Sequence, residues 1–515
     1  MPDIRESAKT KNIASNTLFL FVRMLVITFL NLYIVRVIIK GLGVEDYGIF
    51  NTIAGVVTVA SFFTGVLSLS LQRFFSFYIG KNDIQKQTEI YSSCINIIVI
   101  LSFLIILIFE TMGLWFVNTQ LVIPDTRVTA VMWLYQFTIF TFIFSLFHIP
   151  YTAAIFAHED IGIYAIVSTI ECLLRLGAAI LIGKFLIDNL SFYGMCLLIS
   201  SSIIFIIYIW YGKRHYKECH YHKTTDKRLY KELLSFSGWT LFGNVANIGM
   251  QQGNIILLNI FFGATINAAF GVALQINNAF GALCNSIIIP LRPAMIKAYA
   301  EENFSYLNKL FSVGNKLMLY TLLAIGTPII LEMPNILNWW LNITDENFIL
   351  FARLIIIYIV CLSMNNPITA IIQATGKVKE YHLKVESITL LCLPISWFFF
   401  TLHLPSYFAL ISMIGVSAVA HIIRLFCLRK YYHRFSISSY ITTLIIPGVV
   451  ILALGAGSCY LLQQNIESNI LRILFVFLYS PTFFIVFALL LGTNKSEKKV
   501  LYSYVNSFIK KRLCR

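Results

Sequence analysis

Long apolar runs alternate with short polar breaks from one end of this chain to the other. Stretches such as "INIIVILSFLIILIF" from Ile95 and "LLISSSIIFIIYIWY" from Leu197 hold no charged residue. About 20 mostly apolar residues carry an α-helix across the hydrocarbon core of a bilayer, and runs of that length recur throughout. The pattern predicts an all-α polytopic membrane protein with about fourteen transmembrane helices. They fall over 17–39, 48–71, 90–116, 129–149, 162–187, 191–211, 236–261, 267–290, 312–332, 349–373, 383–402, 406–427, 440–462 and 469–492. The opening "MPDIRESAKTKNIASN" lacks the apolar centre of a signal peptide, so the first hydrophobic segment reads as a retained helix.

Composition sharpens that picture. Hydrophobic residues make up 58% of the 515, charged residues 12%, and mean hydropathy is +0.78. Soluble domains carry about 25% charged residues, and no polar stretch here is long enough for a separate soluble domain. Charge then orients the helices. With the N-terminus in the cytoplasm, 30 of the 39 Lys and Arg fall in cytoplasmic segments, as the positive-inside rule demands. The net charge of +15 therefore reads as orientation plus attraction to anionic headgroups, each base being worth about 1 kcal/mol near the surface. A nucleic-acid partner is not needed. The ten cysteines include no CxxC pair, and most fall in apolar segments as small buried side chains. "HYKECHYH" sets His215, Cys219, His220 and His222 at ligand spacing, but a metal site needs a rigid scaffold, and a solvated Lys-rich loop is expected instead.

The chain repeats itself. "PYTAAIFAHEDIGIY" from Pro150 and "PITAIIQATGKVKEY" from Pro367 share a skeleton, the second offset from the first by 217. Gly43 and Gly263, each entering a predicted helix, are offset by 220, and Arg73 and Arg292, each closing one, by 219. An even number of helices per copy gives parallel repeats related by an axis along the membrane normal. The expected organisation is two parallel six-helix lobes plus a C-terminal helix pair. The N-lobe would span 1–211, a basic cytoplasmic linker 212–235, the C-lobe 236–428, and helices 13 and 14 with a basic tail 429–515. Each proline is expected where an even-numbered helix meets its cytoplasmic turn, since Pro cannot continue the hydrogen-bond ladder.

The run "NTLFLFVRMLVITFLNLYIVRVIIKGLGVEDYGIFNTIAGVV" from Asn16, with its "LGVEDYGIF" turn and the following "QRFFSFYIG", resembles polysaccharide transporters of the MOP exporter superfamily. Within that superfamily it looks like the Wzx-type O-antigen or capsule-repeat flippases. The resemblance implies a multi-pass protein of the bacterial inner membrane with both termini cytoplasmic. It would move undecaprenyl-diphosphate-linked oligosaccharide from the cytoplasmic to the periplasmic leaflet. The bilayer and other polysaccharide assembly proteins would be its partners.

A charge at the centre of a membrane helix costs about 2.5–3.5 kcal/mol, so each calls for a reason. Arg23 would face the inter-lobe cavity and attract the diphosphate, because a guanidinium pairs bidentately with phosphate oxygens. Arg36 lies on another face near the outer end, where snorkelling is an equal reading. Glu171 and Arg175 are spaced i, i+4 with the acid first, the favourable order for a pair. They either neutralise one another or form a breakable pair in which phosphate takes Arg175 and frees Glu171 for Na⁺ or H⁺. Glu386 and Glu110 are further coupling candidates. Asn244, Asn247, Gln251 and Asn254 share one helix face, and Gln275, Asn278 and Asn285 add amides on the next helix. They would offer hydrogen bonds to sugar hydroxyls, or else join helices. Arg73 and Arg292 would act as a cytoplasmic gate, or simply as positive-inside anchors.

Enzyme signatures are missing. "ATGKV" at 374–378 lacks the leading glycine and the Ser/Thr of a P-loop, and no nucleophile elbow or metalloprotease helix occurs. Transport without cofactor, driven by an ion gradient, the membrane potential or product removal, is the expectation. A multidrug exporter and a peptidoglycan lipid-precursor flippase of the same superfamily are the alternatives. A polysaccharide polymerase or ligase would require a large outer loop, and the longest here, "EMPNILNWWLNITDEN", has about sixteen residues.

Overall fold

A computed structural model describes residues 26–158, 160–224, 227–375, 378–466 and 469–493 of the chain. These residues form helices joined by turns, with no strand among them. Lipid offers backbone groups no hydrogen bonds, so helices that satisfy their own are the way through a bilayer for such a chain. Among the described residues, twelve helices are long and apolar enough to cross a membrane. The predicted 17–39 helix begins outside the described residues, and its described part continues as helix over 26–42. The predicted 236–261 and 267–290 helices run together as Lys227–Ala300, broken at Gly263 (φ 79°, ψ −172°). The segment from Glu332, expected as the longest outer loop, is itself largely helical, over Met333–Leu341, and closes on Asn342 in the left-handed conformation.

The repeat is written in the backbone. Of the seven positive-φ residues among those described, six pair at a spacing of 220: Gly43 with Gly263, Asn82 with Glu302, and Gly183 with His403. The turns around the middle pair match bond for bond. Asn82 N donates to Ile79 O at 3.0 Å and Asp83 N to Tyr78 O at 3.1 Å, while Glu302 N donates to Tyr299 O at 3.1 Å and Asn303 N to Ala298 O at 2.9 Å. This pattern closes a helix through a left-handed residue. The next residue in each turn caps the following helix, Asp83 accepting from Lys86 N at 2.9 Å and Asn303 from Tyr306 N at 3.2 Å. The duplicated prolines take a different place from the one expected. Helices Val128–Phe147 and Glu346–Ser363 each break at one residue, and Pro150 and Pro367 lie in the first turn of the continuations Ile149–Ala157 and Asn365–Thr375. A first-turn proline lacks only an N–H that has no intrahelical partner anyway. The spans therefore bend at the prolines, and each continuation is itself only a short helix before the chain turns.

Contacts divide the chain into two compact units, one made of residues up to Gln275 with Thr389–Ser412, the other of Ile276–Ile388 with residues from Met413 onward. In the first, helices Val128–Phe147 and Asn189–His215 lie side by side around buried Leu134, Tyr135 and Ile204. In the second, Phe304–Leu331 is the central helix. Ser480 donates to its Ala324 carbonyl at 2.9 Å, and Gly448 packs against its Leu319. The C-terminal helices Ile446–Asn465 and Asn469–Phe487 are thus integral to the second unit.

One contact in the first unit is unusually close. A Cβ built on Gly48, in helix Val44–Thr58, would lie 1.9 Å from the Ala264 carbonyl oxygen. Beside it Asn267 Nδ2 donates to Thr52 Oγ1 at 2.5 Å, both side chains being buried. Small residues permit this approach, the usual device for joining helices in a membrane. Gly48→Ala is expected to cost about 1–3 kcal/mol through overpacking, read as a lower thermal midpoint of the detergent-purified protein. Gly249→Ala, which meets nothing within 4 Å, should leave the midpoint unchanged or raise it. Equal midpoints for both would show that the Gly48 contact is not made.

Candidate functional site

The close helix pair carries a polar stripe. Tyr47, Asn51 and Gly55 recur at every fourth position along Val44–Thr58, which places them on one face. Across from them, a Cβ on Gly271 would lie 2.4 Å from Asn51 Nδ2, and one on Gly55 would lie 3.0 Å from Ile255 and 3.3 Å from Gln252 Oε1. The buried Tyr47 hydroxyl lies beside Asn51 and Gln275 yet has no hydrogen-bond partner of good geometry. Unsatisfied polar atoms of this kind are rare, and this one stands among half-buried amides.

The amides sort into two groups. Asn254 is fully buried, donates to the Met250 carbonyl at 2.8 Å and touches Cys392 Sγ at 3.7 Å, its own Oδ1 being unpartnered. Asn259 and Asn267 are buried as well, Asn267 joining two helices through Thr52 and Asn259 holding a loop by accepting from Val122 N at 3.1 Å. Asn247 is exposed and Gln251 half-buried on the same helix before the Gly263 break, and Gln275 lies half-buried beyond it. Asn278 is exposed and belongs to the second unit, and Asn285 is exposed as well. Asn244 lies on the Lys227–Ala300 helix, and its side chain is outside the described set.

Arg23 lies outside the described residues. Arg36 is exposed on the 26–42 helix. Asn31, on the same helix, accepts from the Cys172 thiol at 3.8 Å, which brings in helix Ile161–Leu181 and its charges. There Arg175 Nη2 donates to Glu171 Oε1 at 2.6 Å, the two side chains being 52% and 37% exposed. The pair forms as the spacing predicts, and neither side chain is buried. Glu110 accepts from Gln136 at 3.1 Å. In the second unit Glu386 is 4% exposed, with Oε1 3.5 Å from His382 Nδ1 and Oε2 unpartnered. Arg292 is half-buried with its Nε unpartnered. Arg73 lies on helix Phe62–Gly80, its side chain outside the described set.

Several polar centres escape a reading by sequence. Asp46, inside the "GLGVEDYGIF" turn, is buried and accepts both Nε, at 2.8 Å, and Nη2 of Arg127, whose Nη1 reaches Asp188 at 2.7 Å. Asp188 in turn caps helix Asn189–His215 at Leu190 N and Ser191 N. One guanidinium thus ties the starts of three helices. Arg424, buried, donates from Nε to the Tyr381 hydroxyl at 3.0 Å, which also meets Thr369 Oγ1 at 3.0 Å. Tyr381 and Thr369 are the tyrosine and threonine of the Pro367 repeat. Glu332, fully buried, accepts from Arg472 at 3.1 Å and Asn335 at 2.6 Å.

The "HYKECHYH" segment differs from the solvated loop expected. Tyr216, Glu218 and Cys219 are buried. Tyr216 donates to Asp160 at 2.6 Å, and Glu218 Oε1 meets His158 Nε2 at 2.5 Å. Burial and then the Asp160 bond push the Tyr216 phenol up, and burial pushes the Cys219 thiol up. Both therefore stay protonated at neutral pH, and Cys219 is a packing residue with no thiolate to offer. Among the described residues no cluster of three or more His, Cys, Asp or Glu is placed to hold a metal ion.

Two compact units of membrane helices, backbone turns that recur from one half to the other and a C-terminal helix pair define a class of transporter fold. The chain superposes on lipid II flippase MurJ in an inward closed conformation with a TM-score of 0.66 at 14% identity, over 92% of this chain and 98% of that one. On an inward-facing multidrug resistance MATE family transporter of the MOP superfamily the TM-score is 0.65 at 14% identity, over 81% and 99%. Sequence carries the assignment further. Residues 10–299 match the family of polysaccharide biosynthesis proteins, and the chain belongs to that family. It is also 20% identical over 295 residues to the uncharacterized membrane protein EpsK of Bacillus subtilis (strain 168), a match covering 56% of this chain and 58% of that protein.

The Arg127 clamp is testable. Removing the cation leaves buried Asp46 uncompensated, a loss that reaches about 3–5 kcal/mol for fully buried pairs; with Arg127 26% exposed about 2 kcal/mol is expected after solvent screening. Arg127→Gln should lower the thermal midpoint in detergent, and Arg127→Lys should recover only part because it cannot bond bidentately. Full recovery by Lys would show that charge alone matters there.

Proposed function

We propose that the protein is a secondary transporter, a flippase that moves undecaprenyl-diphosphate-linked oligosaccharide repeat units from the cytoplasmic to the periplasmic leaflet of a bacterial inner membrane. It would do so by alternating access, with both termini in the cytoplasm, for assembly of O-antigen, capsule or a related surface glycan. The observation that carries this reading is membership in the polysaccharide biosynthesis family together with a fold that includes the C-terminal helix pair. The likeness to the lipid II flippase extends over 92% of the chain, against 81% for the multidrug transporter. A peptidoglycan lipid-precursor flippase is the nearest alternative, and a multidrug exporter of the same fold is the next.

In this scheme arginines attract the diphosphate, with Arg23, Arg36 and Arg175 as candidates. Arg175 is already held by Glu171, so phosphate binding would release that carboxylate to a proton or Na⁺. The accessible amides, Asn247, Gln251, Gln275 and Asn278, and with them Asn244, would serve the sugar, while the enclosed Asn254 would serve packing. Glu386 is a second coupling group, and Arg73 and Arg292 would gate the cytoplasmic side. No ATP site or other cofactor is invoked.

Deleting the gene should cause lipid-linked repeat units to accumulate on the cytoplasmic side while their synthesis continues; normal display of the glycan would rule the scheme out. Arg23→Ala and Arg175→Ala, expressed at normal abundance in that strain, should each reduce display at least tenfold. Transport by both at the wild-type rate would remove the phosphate role from these arginines.

A further inference from the structure

An open cavity of 510 Å³ lies along the last turns of helix Asn189–His215, lined by Ile206, Ile209, Trp210, Lys213 and Arg214. These positions, at i, i+3, i+4, i+7 and i+8, share one helix face, and they are ordered by polarity. The two isoleucines come first, the indole next and the two cations last. Ile206 is 63% and Trp210 58% exposed, so the face is open to its surroundings. Indole rings favour the headgroup level of a membrane, which sets Lys213 and Arg214 at the depth of lipid phosphates. The Arg214 guanidinium lies 5.6 Å from the centre of the Trp210 ring. A guanidinium over a ring face keeps its in-plane N–H donors for an oxygen ligand.

The chain beyond the helix is fixed as well. Besides the Asp160 and His158 bonds, the Tyr221 hydroxyl donates to Asn96 at 3.0 Å and His222 N to Ser92 Oγ at 2.9 Å. Lys217, His220 and Lys223 are exposed on this anchored segment. The nearby acids Asp160 and Glu218 are already engaged by Tyr216 and His158. The surface past the helix end is therefore basic and held in place.

We infer that this cavity binds an anionic phospholipid of the surrounding leaflet, its phosphate between Lys213 and Arg214 and its chain along Trp210, Ile209 and Ile206. Free phosphate would leave the apolar part of the lining in water, and a zwitterionic lipid would leave the cations without a net counter-charge. Basic pockets at membrane interfaces recognise anionic headgroups by this chemistry. The site is distinct from the proposed substrate groups, and its test does not depend on what the protein transports.

Native mass spectrometry of the full chain, purified in detergent and titrated with phosphatidylglycerol or phosphatidylcholine, reads the site. Each base contributes roughly fivefold in affinity, so the two together give a preference for phosphatidylglycerol of about 25-fold. The double variant Lys213→Gln/Arg214→Gln should lose that preference, while Lys213→Arg/Arg214→Lys should keep most of it. Unchanged preference in the glutamine variant overturns the proposal. So does displacement of the lipid by millimolar inorganic phosphate, which would make this a phosphate site. If the glutamine variant does not fold, equal retention of the two lipids by the unmodified chain overturns it just as well.

Discussion

The backbone approach at Gly48 and Ala264 is the constraint on which the first unit is arranged. Two helices whose backbones come this close leave no room for side chains at the crossing, so their registers are fixed to within a residue. Gly43 and Gly263 both enter their helices at positive φ, and Thr52 with Asn267 locks them one turn further on. The Tyr47, Asn51 and Gln275 stripe follows from that registration. Its amides are held by a rigid scaffold.

Charges obey a second constraint, that an ion in or near lipid keeps a partner. Asp46 has Arg127, Glu332 has Arg472, Arg424 has Tyr381 and Glu171 has Arg175. The first three are buried at one or both members and serve as joints between helices. The last is within a single helix and accessible, and so differs in kind. Opening this pair would dismantle no helix junction.

Legibility from sequence followed the range of the interactions. The helices, read from apolar runs, were visible because each span satisfies its own backbone. The Glu171–Arg175 pair was visible because its members lie one helical turn apart. The glycines and the proline elbows were visible through repetition, although the prolines bend their spans where a turn was expected. Asp46 could not be explained in advance, since its partner Arg127 sits on a helix start far along the chain and Asp188 farther still. Arg424 stands inside the apolar "HIIRLFCLRK", and what holds it was not legible because its partner Tyr381 belongs to another helix well before it. The Lys213–Lys231 stretch looked like a solvated linker by charge, yet Tyr216, Glu218 and Cys219 alternate with its bases and pack inward. Among the amides, composition did not separate Asn254, which is enclosed, from Gln251 one turn before it.

The common spacing between backbone turns survives where residue identity does not, a glycine at 183 answering to a histidine at 403. It therefore works as a coordinate transformation from one half of the chain to the other. The elbows themselves keep a slightly shorter offset of 217, so the correspondence is strict at the turns and shifts by a few residues between them. Past the first elbow the Tyr216 hydroxyl donates to Asp160, and past the second the Tyr431 hydroxyl donates to Glu380. Two halves with little sequence in common thus each hold a carboxylate–phenol bond past the elbow, from phenols that occupy different positions of the repeat. Each half is thereby an internal reference for the other at these turns, where a substitution at Gly43, Asn82 or Gly183 has its counterpart at Gly263, Glu302 or His403.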